Sequence, residues 1–172
     1  MRVAAPLATL LTATALTGAS PSFAQNLTVT IELPRIASAG YHRPYVAVWL
    51  ERPDQTPVRT LAVWYNQVLP AGEGKDWLKD IRTWWRKGGR ELRLPADGVS
   101  GATRLPGRHV LTIPAARLAD LPAGDYVLVV EAAREQGGRE AVHVPFRRGG
   151  RMAPAQATGS TELGLVRIAP AR

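Results

Sequence analysis

The sequence predicts a mainly β protein, built as an antiparallel β-sandwich with one inserted amphipathic helix. Three observations carry that expectation: short apolar runs of strand period recur along the chain, turn residues separate them, and a single segment switches to helical spacing.

Leu27, Val29, Ile31 and Leu33 alternate with Thr28, Thr30 and Glu32, the period of a half-buried strand. Tyr45–Glu51 follows Pro44, and Arg59–Tyr65 follows a Pro-Asp-Gln-Thr-Pro connection, so the two read as paired strands joined by a short turn. Arg108–Ile113, Tyr126–Ala132, Glu140–Phe146 and Glu162–Ile168 supply four more. Ala123-Gly124-Asp125 and Gln136-Gly137-Gly138 mark turns on either side of the run Tyr126–Ala132. Seven short strands in a chain of this length suggest two packed sheets. The polar, glycine-rich stretch of residues 147–160 reads as a flexible loop.

Lys75–Lys87 breaks the pattern. Trp77, Leu78, Ile81, Trp84 and Trp85 fall at i, i+1, i+4, i+7 and i+8, on one face of a helix, and Gly88-Gly89 supplies the stop. Three of the five tryptophans lie here. They serve either to pin the helix over the sandwich or to wall a site for a planar ligand, and an indole does both when it packs on one side only.

The beginning of the chain points to a compartment. Met1-Arg2, an apolar run from Val3 to Leu16, and Ser22-Phe23-Ala24 before Gln25 are the parts of a secretory signal peptide, leaving residues 25–172 as one domain. The apolar run is too short to span a bilayer, and no later segment of the mature chain is long enough. The expectation is an exported, periplasmic protein. The chain contains no cysteine, which excludes disulfides, thiolate metal sites and a cysteine nucleophile. Its 22 basic residues outnumber 14 acidic ones, and nineteen of the 22 are arginine, whose fork suits phosphate or carboxylate partners. Export and the absence of a base-reading motif argue against nucleic acid as a partner.

Few residues suggest chemistry. No Gly-x-Ser-x-Gly, zinc helix or phosphate-binding loop is present, so a hydrolase is poorly supported and no catalytic residue is assigned. His42, His109 and His143 lie in different segments without ligand spacing, and a metal site made from the three is a minor alternative. Tyr41 and Tyr45 beside His42 could make an aromatic rim. Asp76 and Asp80 read as a solvated helix face, and Glu131, Arg134 and Glu135 as surface ion pairs. The remaining candidate is Asp97-Gly98-Val99-Ser100-Gly101-Ala102-Thr103. It reads as a tight turn of small residues whose amides a phosphate could approach, with Arg93, Arg104 and Arg108 nearby.

That stretch resembles the flavinylation motif Asp-x-x-Ser/Thr-Gly-Ala-Ser/Thr of bacterial membrane-associated flavoproteins. In those proteins a secreted, magnesium-dependent flavin transferase joins the phosphate of FMN to the last residue. The resemblance implies that Asp97, Ser100, Gly101 and Ala102 are recognition positions, and that Thr103 carries FMN covalently. Tyr41–Trp49, Thr60–Tyr65, Trp84-Trp85-Arg86, Ser100–Thr103, Pro122–Tyr126 and Glu131–Glu135 together resemble a family of predicted bacterial periplasmic proteins known as domain of unknown function 2271, over nearly all of residues 26–168. That likeness implies companionship with PepSY-type membrane proteins and flavin-transfer systems, and supplies no catalytic residues. Pro122–Val130 is also similar to a strand of immunoglobulin-like modules, which makes the expected sandwich immunoglobulin-like.

The function expected from these readings is that of an accessory or electron-carrier protein of an extracytoplasmic flavin redox system. The alternative is a cofactor-free binding module that docks a membrane protein or an anionic ligand through its aromatic and arginine-rich edge.

Overall fold

The computed structural model describes residues 25–38 and 40–171, and the expected signal peptide lies outside them. Two sheets form. One places β1 (Leu27–Leu33) between β5 (Gly107–Ile113) and β9 (Leu165–Pro170), with β8 (Ala155–Thr158) beyond β9. The other runs β4 (Ser100–Ala102), β3 (Pro57–Tyr65), β2 (Tyr45–Glu51), β6 (Gly124–Ala133), β7 (Arg139–Arg148). The expected mainly β sandwich is therefore present, with nine strands among the described residues instead of seven. All pairings are antiparallel except β3 with β4, which is parallel with Trp64 opposite Gly101.

The strand sequences explain the layering. β1 and β7 alternate buried with partly exposed positions, as strands covered on one face do. β2 and the ends of β3 and β6 are buried at nearly every position because both faces are covered. Val46, Val48, Leu50, Leu128, Val130 and Val144 face Val29, Ile31, Val166 and Ile168 across the sandwich. On the reverse of the five-stranded sheet, Ala47, Trp49, Val63, Tyr65 and Val129 lie beneath Leu78, Ile81 and Trp84 of the helical segment.

That segment is not the continuous α-helix expected over residues 75–87. Pro70–Asp80 is 3₁₀ in character, with Ala71 and Gly72 at positive φ. The chain then breaks at Ile81, and only α1 (Arg82–Arg86) is α-helical. Its tightness follows from Gly74, where a Cβ would sit 1.7 Å from the Asn66 carbonyl oxygen. A 3₁₀ turn stacks residues three apart, so Leu78, Ile81 and Trp84 face the sheet while Trp77 turns outward. Residues 82–99 then return the chain to start β4 alongside β3.

Ser100–Ala102 is a short strand and not part of a turn. β7 extends through Arg148 and Ala155–Thr158 is strand β8, so irregular backbone in the expected loop narrows to residues 149–154 and the last residues before Leu163. Glu162–Gly164 precede β9 instead of opening it. They are folded back by Glu140, whose carboxylate accepts the amides of Ser160, Thr161, Glu162 and Leu163 at 2.6–3.0 Å.

Candidate functional site

Strand direction brings the start of β2 and the ends of β3, β4 and β6 to one end of the five-stranded sheet, with Tyr45 opposite Ala133 and Tyr65 opposite Ala102. Four connections leave from that end: Tyr41–Arg43, Asn66–Leu69, Thr103 and Arg134–Glu135. With Trp77 and Asp80 of the 3₁₀ segment they enclose a cavity of about 390 Å³, within the range of roughly 300–1,000 Å³ usual for small-ligand sites.

Three aromatic side chains, Tyr41, Tyr45 and Trp77, contribute to its walls. Trp77 is 47% exposed whereas Trp84 is 1% exposed, so the two tryptophans have separate tasks, and Trp85 packs half-buried at the rim of the core beneath the segment. Burial pushes the Tyr45 hydroxyl above its ordinary value, opposed by hydrogen bonding to the Asn66 backbone. Burial likewise raises Tyr41, against the pull of Arg134. Both phenols are therefore neutral near pH 7, each keeping a proton to donate.

Charges of both signs ring the cavity. His42 Nδ1 lies 3.2 Å from Glu135, and Arg134 is held by Glu162 through bonds of 3.0 and 3.1 Å. Arg43 and Asp80 are also in the lining. Of the arginines expected near Thr103, none lines the cavity. Arg104 lies 5.3 Å from the centre of the Trp64 ring, Arg108 pairs with Glu32 at 3.5 Å, and Arg93 is exposed.

The seven motif residues divide between scaffold and cavity. Asp97 is exposed. Gly98 adopts φ +64°, and the carbonyl oxygen of Ala96 accepts the amides of Val99 and Ser100. Ser100 Oγ accepts the Ala96 amide at 2.9 Å, closing the turn. Arg117 pins the turn to β3 by donating to Gly98 O at 2.7 Å, Leu61 O at 3.1 Å and Thr60 O at 3.2 Å. Gly101 lies against Trp64, where a Cβ would come within 2.9 Å of the indole Cδ1. Ala102 and the half-buried Thr103 then enter the cavity lining.

The histidines are dispersed. His42 is in the cavity wall, His109 bonds Leu105 O at 2.8 Å and meets the Trp64 ring edge-on, and His143 is exposed on β7. No cluster of metal-ligating residues occurs among the described residues. Glu131 is not a surface ion-pair residue. It is wholly buried and accepts from Thr83 N, Trp84 N and Arg139 Nη1 at 3.1, 2.9 and 2.7 Å. Sequence reasoning missed Asn66, Leu69, Asp80 and Arg134 as wall residues. Asn66 and Arg134 carry a signal, since each directly follows a run that pairs in the one sheet, whereas Leu69 and Asp80 belong to the connection and 3₁₀ segment and carry none.

No helix among the described residues is long and apolar enough to cross a membrane. A family model described as "Predicted periplasmic protein (DUF2271)" matches residues 26–165. No curated protein and no solved structure matches the chain.

Proposed function

The chain belongs to the DUF2271 family of predicted periplasmic proteins, and from that premise we propose that it is an exported accessory or electron-carrier protein of an extracytoplasmic flavin redox system, bearing FMN on Thr103. The observation that carries this reading is the position of Thr103 in the wall of a cavity whose other walls include Tyr41, Tyr45 and Trp77. A tether at Thr103 delivers its cargo to aromatic surfaces that pack well against a planar ring.

The chain and the group fit in three respects. The acceptor hydroxyl follows a short edge strand of small residues, so a transferase meets little side-chain bulk at Ser100, Gly101 and Ala102. The cavity is of small-ligand size. Protonated phenols and the Arg134 guanidinium offer hydrogen-bond donors to a ring, and Arg43 offers charge to its phosphate. When bound, a flavin supplies the electron transfer; the chain's residues tether it, exclude water from one face of the ring and orient it. The phosphoester would form when Thr103 Oγ displaces a nucleoside monophosphate from the FMN phosphorus of a flavin dinucleotide: the phosphoanhydride P–O bond breaks, the Oγ–P bond forms, and the hydroxyl proton passes to a base of the transferase. A PepSY-type membrane protein is the partner class that the family resemblance suggests for electron exchange.

The test is intact mass after periplasmic co-expression with a flavin transferase. Wild type is expected to gain one FMN less water, on the order of 440 Da, and Thr103→Ala nothing. An unmodified, folded wild type beside a modified control substrate sinks the tether and leaves a cofactor-free docking module as the function.

A further inference from the structure

Arg134, in the cavity wall, carries a buried donor without a partner among the described residues. It follows β6 directly, and its side chain is 7% exposed. Nε and Nη2 form a fork to Glu162, which is 4% exposed and also accepts the Gly138 amide at 2.7 Å. That fork occupies one edge of the guanidinium. Nη1 belongs to the other edge and has no hydrogen-bond partner; among the described residues it is the buried side-chain nitrogen or oxygen of which this is true. Buried donors are nearly always paired, because leaving one unmade forfeits its solvation without return.

The group is also immobilised. Its position at Gly137 is so close that a Cβ there would lie 2.4 Å from the guanidinium carbon, and the Tyr41 ring covers the guanidinium at 5.6 Å. Glu162 and Gly137 thus hold a donor in place before any ligand arrives, which lowers the ordering cost of binding.

We propose that Arg134 Nη1 is the anchoring donor of this cavity, and that it receives a carbonyl on the edge of a planar heteroaromatic ring lying among Tyr41, Tyr45 and Trp77. The charges select a carbonyl over a free anion. Glu162 already neutralises Arg134, and Asp80 and Glu135 add negative charge to the wall, so the spare N–H suits a neutral acceptor better than a second carboxylate or a phosphate. The ring reaches Nη1 as Tyr41 turns aside and stacks on the ligand in place of the guanidinium. The inference deepens the flavin reading and rests on it for the identity of the ring, since the pyrimidine edge of a flavin carries two such carbonyls.

The experiment uses lumiflavin, a flavin ring with neither ribityl chain nor phosphate, titrated into the Thr103→Ala protein so that no tether contributes. Saturable quenching of its fluorescence is expected. Arg134→Lys keeps a cation for Glu162 but has no second arm, and is expected to bind at least tenfold more weakly while remaining folded, with a lowered melting temperature because the buried fork is lost. Phenazine, a tricycle of similar size without edge carbonyls, is expected to bind the unaltered arginine at least tenfold more weakly than lumiflavin, which tests the donor without touching it. Equal binding by Arg134→Lys, or equal binding of phenazine, overturns the role of Nη1. No saturable binding by the folded protein overturns the ring site. A mass adduct without lumiflavin binding would leave the tether standing and remove Arg134 from it; lumiflavin binding without an adduct would do the reverse.

Discussion

The buried carboxylate of Glu131, on β6, accepts the backbone amide of Trp84, in α1, at 2.9 Å. The neighbouring Thr83 amide reaches the other oxygen at 3.1 Å. Ile81 precedes this helix and has no side chain able to cap it, so the sheet beneath supplies the missing acceptor. The other end is held in the same manner. Lys87 donates to the buried Glu51 of β2 at 2.7 Å, and Glu51 also accepts from the Trp49 indole. Two glutamates of the five-stranded sheet therefore grip a helix of five residues, which is too short to persist on its own.

Replacing Glu131 by alanine is expected to cost on the order of 2–4 kcal/mol, because two amides lose their acceptor beneath the sheet's cover. Urea unfolding measures the loss. The near-ultraviolet signal of the tryptophans should change with it, since Trp84 is positioned by the same contact.

Glu140 makes stability depend on acid. Burial pushes its carboxyl upward, but the amides of Ser160, Leu163 and Thr161 outweigh that and hold it at about 2, below the ordinary 4.5. The folded state thus binds fewer protons than the unfolded chain between those values. The stabilisation is complete above about pH 4.5, declines as pH falls toward 2, and is absent below both. Glu140→Gln is expected to be less stable by about 1–2 kcal/mol at neutral pH. Its stability should then fall less steeply than that of wild type from pH 4.5 to 2, as read by denaturant midpoints across the interval.

Gly101→Ala separates packing from recognition. The added methyl meets Trp64 at 2.9 Å, and Trp64 is buried in the sandwich core. A loss of about 1–3 kcal/mol is expected in protein that has never met a transferase. A variant as stable as wild type would mean that the glycine serves an external reader alone.

Trp84→Ala and Trp77→Ala should diverge. Trp84 is buried and its indole donates to Thr60 Oγ1 at 3.0 Å, so its removal is expected to cost about 3–5 kcal/mol. Trp77 is 47% exposed, and its removal should cost less than about 1 kcal/mol while weakening ring binding in the cavity. Thermal melting and lumiflavin titration of the two variants provide the comparison.

How far the sequence was legible can be traced residue by residue. β1 and β2 were readable to their exact ends because alternation in one and a continuous apolar run in the other report directly on how many faces are covered. β8, Ala-Gln-Ala-Thr, carries no such signal; it is a strand because β9 offers an edge. β4 is three small residues whose pairing depends on β3. Trp77 looked like a partner of Trp84 because a period of 3.6 was applied to a stretch with a period near 3. Glu131 looked exposed because a charged residue near a strand end usually is, and its burial becomes visible only once α1 lies across it. Thr103 was found from a local pattern, whereas Arg134 required knowing that Ala133 and Tyr45 stand opposite each other.

The parallel alignment of β3 and β4 has a metric consequence. Two parallel neighbours cannot be joined by a hairpin; the chain must travel back along the sheet before the second can begin. Here the return leg is the stretch from Asn66 to Val99, and Trp77 stands near its outset while Thr103 lies just past its close. That excursion joins an aromatic wall to an acceptor hydroxyl without setting where the hydroxyl lies, because Arg117 fastens Gly98 to Thr60 and Leu61 and the Gly101–Trp64 contact seats β4 against β3. Residues added between Trp77 and Ala96 are therefore expected to bulge outward and leave Thr103 in the cavity wall.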